Sequence, residues 1–117
     1  MKVLFWNTHK NTKINDTICE LAVENDASIV VLAEYAANVD DLLNSLLLQY
    51  GIKMQRYFSC CERITIIGAV RNVEVRFDND HTTIQIINGK DILCCTHLNS
   101  KIYSDNEAQR EILIEQL

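Results

Sequence analysis

The apolar run in "ASIVVLAEY", which ends at Glu34, constrains the fold more than any other stretch of the chain. It is continuous, apolar and β-branched at its start, much shorter than the ~18 residues that span a bilayer and of the right length for a strand. A strand that is apolar on both faces must be covered on both, as in a layered α/β arrangement. The preceding sequence fits that arrangement. "KVLFWN" reads as a short strand stopping at Asn7, and "NTKINDTICELAVEND" places Ile14, Ile18, Leu21 and Ala22 on one helical stripe. Strand, amphipathic helix and apolar strand make a βαβ unit with neighbouring parallel strands, right-handed by strong precedent.

A second helix is expected in "NVDDLLNSLLLQYG". Asn38 can cap it, Asp40 and Asp41 suit its first turn, Leu42, Leu43, Leu46 and Leu47 form its stripe, and Gly51 stops it. From residue 53 the pattern becomes β: "KMQRYFS", "RITIIGAV", "VEVRFDN", "TTIQIIN" and "DILCCTHL" read as successive strands, the last two joined by a tight turn at Asn88-Gly89. Ser104-Asp105-Asn106-Glu107 is a capping-box pattern ahead of a C-terminal helix through Ile112 and Leu113. The expected fold is mixed α/β: a βαβ start, then antiparallel strands, then a helix. With 117 residues, no proline and no repeat or linker, one domain over 1–117 is expected.

The composition, 48% hydrophobic and 23% charged, is that of a globular chain. A net charge of -5 gives no general attraction to phosphate backbones, so phosphate chemistry would need a local site or a bound cation. The cysteines, at 19, 60, 61, 94 and 95, are odd in number and form no C-x-x-C pair. With no secretory leader pattern, reduced thiols and a cytoplasmic location are expected. Cys94 and Cys95 point to opposite faces of a strand and cannot easily serve one metal together.

The polar residues at strand ends carry the chemistry. Ligands of open α/β sheets gather beyond the carboxyl ends of the strands, where Asn7 and Glu34 fall side by side. A hard cation such as Mg²⁺ takes oxygen ligands there, with Glu34 the first choice and Asn7 beside it. Singly, Asn7 reads as well as a turn or cap, and Glu34 as a solvated carboxylate. His97 lies at the end of the strand "DILCCTHL", and Glu62 opens "CERITIIGAV". A carboxylate bonded to one ring nitrogen would fix the tautomer of His97 and suit it to donate a proton to a phosphate oxygen. His9 flanks Asn7, and His81 falls in a turn, where a surface role is expected.

The order of these motifs resembles the endonuclease/exonuclease/phosphatase superfamily: W-N ending a strand, "VVLAEY", an E-R pair opening a strand, then T-H-L ahead of a helix. The resemblance implies half of a four-layer α/β/β/α sandwich and a phosphoesterase dependent on Mg²⁺, or on Mn²⁺ in its place. Its substrate would be DNA, RNA, a phospholipid or a phosphorylated small molecule. It implies a metal site at Asn7 and Glu34, with His97, Glu62 and Asn7 in the catalytic set: His97 against the scissile phosphate and Glu62 orienting it. The family's G-D-x-N segment and C-terminal D-H pair are missing from this sequence. Ser104-Asp105-Asn106 is better explained as a cap, so the chain resembles only the N-terminal half.

Half of a two-sheet sandwich would leave an apolar sheet face uncovered. At about 25 cal/mol per Å², several hundred Å² of such surface forgoes on the order of ten kcal/mol, comparable with a domain's net stability. A separate C-terminal half, self-association, or origin as a fragment of a longer protein is therefore expected. The rival expectation is a catalytically incomplete α/β interaction module. A βαβ nucleotide binder is disfavoured because no glycine-rich loop follows the first strand.

Overall fold

β2 (Ile29–Ala33) is fully buried along its length, as its apolar run requires. The protein is described here by a computed structural model covering residues 1–97. The helix expected after Ser104 lies outside the described residues. Strand β1 (Val3–Asn7) leads into α1 (Asn15–Glu24), and β2 is followed by α2 (Val39–Tyr50). Strands β3 (Gln55–Arg56), β4 (Ile64–Gly68), β5 (Val73–Asp78), β6 (Thr82–Ile87) and β7 (Asp91–Thr96) complete the described elements. The first sheet has the order β1-β2-β4-β3 and the second β5-β6-β7. β1 runs parallel to β2, with Asn7 opposite Ala33, whereas β4 is antiparallel to β2. The second sheet is antiparallel throughout.

The alternation of side chains along β2 explains why both of its faces are apolar. Val30 and Leu32 point to the helices, packing with Ile18, Ala22, Leu42 and Leu46. Ile29 and Val31 point the other way, into a second core with Ile64, Ile66, Ile87 and Cys95. The described residues therefore form three layers, helices on a mixed sheet on an antiparallel sheet, and the mixed α/β class read from the sequence is present.

Local signals act as expected. The Asn38 side chain accepts a hydrogen bond from the Asp41 amide at 3.0 Å, capping α2, and Gly51 ends it in the left-handed conformation at φ 67°. Asn88 and Gly89 have φ of 54° and 72°, and Lys90 N–H donates to Ile87 O across the turn. The strand expected around 53–59 is reduced to Gln55–Arg56. Just beyond it, Ser59 Oγ and the Cys60 amide both donate to the Asp78 carboxylate, which draws the chain toward the end of β5.

One structural expectation changes. The inner faces of the two sheets cover each other, and among the described residues exposed apolar side chains lie along β1 as well as on α2 and at Phe58. β1 and β7 are outer strands of their sheets. Between them lies a groove of about 330 Å³, lined by Val3, Phe5 and Val31 on one side and Leu93 and Cys95 on the other. Phe5 is 61% exposed there.

Candidate functional site

The loops after β1 and β2 are tied together by backbone bonds. Thr8 N–H donates to Ala33 O at 2.9 Å, the Thr8 hydroxyl lies 2.8 Å from Glu34 O, and Lys10 N–H donates to Glu34 O at 2.8 Å. Glu34 N–H in turn donates to Arg63 O at 3.1 Å. The site is thus assembled from three segments distant in sequence. His9, Lys10 and Glu34 have φ of 50°, 60° and 52°. Left-handed backbone is uncommon for such side chains, and each instance costs of order 1–3 kcal/mol, held here by the surrounding bonds.

These segments and the end of β7 enclose a cavity of about 440 Å³ lined by Lys10, Glu34, Tyr35, Glu62, Arg63 and His97. Three of the four residues singled out in the sequence, Glu34, Glu62 and His97, therefore share one cavity. Asn7 is not among the residues lining it. Its side-chain oxygen accepts from the His9 amide at 3.0 Å, which shapes the loop. His9 lies with Nδ1 3.6 Å from Glu34 Oε2, an exposed contact of small energetic weight.

His97 is fixed through its backbone. Its N–H donates to His81 O at 2.7 Å, and His81 Nδ1 lies 3.3 Å from His97 O. The His81 turn is itself closed by Asn79, whose side chain accepts from the amides of His81 and Thr82. His81 thus acts as a brace for the end of β7. The ring Nδ1 of His97 is buried and has no hydrogen-bond partner among the described residues. Glu62 shares the cavity with it, but no hydrogen bond joins the two. Glu62 is exposed at the mouth of β4.

Tyr35 was not singled out in the sequence. Its hydroxyl lies 2.5 Å from Asn15 Oδ1 and 2.9 Å from Asn38 O, tying the site loop to both helices. Burial pushes its phenol up to about 12, so it stays neutral and serves as a wall rather than a base. Lys10 and Arg63 were also missed. Arg63 was visible only as the second letter of the E-R pair, and Lys10 reaches the cavity through a left-handed loop that no pattern announces.

The donor set suits a hard cation. Glu34 is a partly exposed carboxylate with Glu62 in the same cavity, and such an ion takes one or two carboxylates with water and substrate oxygens completing its shell. Among the described residues no three His, Cys, Asp or Glu side chains are grouped as a ready-made metal cage. No described helix is long and apolar enough to cross a membrane. No protein-family model matches this chain, and no curated protein matches it.

Proposed function

We propose that this chain is the Glu34- and His97-bearing half of a magnesium-dependent phosphoesterase, of the endonuclease/exonuclease/phosphatase type it resembles. It would hydrolyse a phosphodiester or phosphomonoester in a reducing, cytoplasmic setting suited to its free thiols. The observation that carries the reading is the cavity that collects Glu34, Glu62 and His97 from three separate parts of the chain.

Glu34 would hold the cation, with the second lone pair of the Asn7 side-chain oxygen within the same loop pair. When bound, Mg²⁺ supplies polarisation of a phosphoryl oxygen and charge stabilisation at the leaving oxygen. His97 donates a ring N–H to a non-bridging oxygen as negative charge develops there, a role its braced backbone favours. Glu62, one residue before Arg63, lines the same cavity as His97 from its exposed mouth. The base that activates water comes from a second polypeptide half seated against the open edges of β1 and β7, whose ends carry Asn7 and His97.

The test is Mg²⁺-dependent hydrolysis of bis(p-nitrophenyl) phosphate and of plasmid DNA, with Glu34→Ala and His97→Ala alongside. Weak activity lost by at least a hundredfold in both variants is expected. Activity indifferent to both substitutions would sink the reading. A second reading is favoured by the apolar groove between β1 and β7: a catalytically incomplete module used for assembly. A folded sample that binds no Mg²⁺ but associates in solution would select it.

A further inference from the structure

Lys10 and Arg63 line the same cavity as Glu34 and Glu62, yet among the described residues neither cation forms an ion pair with either carboxylate. Among the described residues the ion-pair contact there is that of His9 with Glu34. The three residues are joined through their backbones: Lys10 N–H donates to Glu34 O, and Glu34 N–H donates to Arg63 O. The peptide groups of Glu34 thus tie both cation-bearing residues to the segment that carries its carboxylate. Lys10 has a left-handed backbone at φ 60° and lines the cavity.

From this geometry we infer that Lys10 and Arg63 form the anion subsite of the cavity, gripping the non-bridging oxygens of a substrate phosphoryl group. The inference rests on the phosphoesterase reading for its substrate, but not for the subsite itself. Arg63 presents a planar fork that matches two phosphate oxygens, and Lys10 adds a point charge. The carboxylates are left to the cation, so anion and cation lie adjacent without competing for the same groups. Both are binding and positioning residues, and their loss acts on phosphate affinity and KM before kcat.

The experiment is titration of the folded chain with inorganic phosphate, with and without Mg²⁺, read by NMR shifts or calorimetry. Lys10→Asn tolerates the left-handed backbone, and Arg63→Ala and Arg63→Lys alter an exposed side chain, so all three variants should fold. A thermal melt checks this. Phosphate affinity should fall about tenfold or more in Lys10→Asn and Arg63→Ala, and less in Arg63→Lys. Mg²⁺ affinity should stay constant or tighten, because a like charge has been removed. Phosphate affinity equal to the unsubstituted chain in both charge-removing variants, or no phosphate binding at all, would overturn the subsite. If phosphate binding depends on Lys10 and Arg63 while Mg²⁺ binding and hydrolysis are absent, the subsite stands and the phosphoesterase reading falls.

Discussion

A side chain at position 68 would have nowhere to go. A Cβ on Gly68 would meet the Tyr57 hydroxyl, with the ring Cζ at 2.6 Å. Tyr57 cannot yield easily, because it is 4% exposed and its hydroxyl donates to Val70 O at 2.7 Å. Gly68→Ala should therefore destabilise the fold by about 1–3 kcal/mol, measured by urea unfolding, although alanine normally favours a strand over glycine. Tyr35 offers a test by pH. Its pKa rises from 10.0 to about 12 on folding, so the stability it contributes is complete below pH 10 and is lost as pH climbs toward 12. Tyr35→Phe should cost about 1 kcal/mol near neutrality and flatten that alkaline decline. Glu34, Glu62 and His97 could be singled out together because each is a polar residue beside the end of an apolar run, although singly each also reads as a solvated side chain. Lys10 could not be, since a left-handed loop residue owes its direction to the carbonyl that captures its amide.

The two helices and the hairpin are specified locally. Asn38→Ala should remove the side-chain acceptor for the Asp41 amide and cost roughly 1 kcal/mol, seen as a lower urea midpoint with an unchanged slope. Leu32→Ala tests a different dependence. Leu32 is fully buried between β2 and the helices, and its truncation should cost about 2–5 kcal/mol. The extent of β3 shows where local reading stops. The sequence from 53 to 59 alternates well enough for a strand, but Asp78, nineteen positions beyond Ser59, takes the Ser59 hydroxyl and the Cys60 amide and ends the pairing. A strand exists only where its partner's backbone is within reach, and that partner is chosen by packing.

At the scale of the whole molecule, two properties follow from how the layers meet. Cys95 is 7% exposed in the core between the sheets, and burial, with smaller contributions from Cys94 and Cys61, pushes its thiol up from 9.0 to about 12. Keeping it neutral contributes stability below pH 9 that is lost as pH rises toward 12. The melting temperature should fall steadily above pH 9, and Cys95→Ala should start lower but fall less. The β1–β7 groove makes the second prediction. Phe5→Lys should leave the monomer folded and suppress any species heavier than 13.4 kDa in light scattering.

The sequence by itself determined the βαβ start, the double-sided burial of β2, the capped second helix, the Asn88-Gly89 turn and the strand-end residues Asn7, Glu34, Glu62 and His97. These follow from side-chain periodicity and from the few conformations that caps and turns allow. Only the tertiary structure decided that Glu34, Glu62 and His97 share a cavity with Lys10 and Arg63, while Asn7 turns to the His9 amide. It also decided that the sheets bury each other's inner faces and that, among the described residues, β1 and β7 are outer strands of their sheets. Those outcomes depend on hydrogen bonds and packing between segments far apart in the chain, which no local pattern encodes.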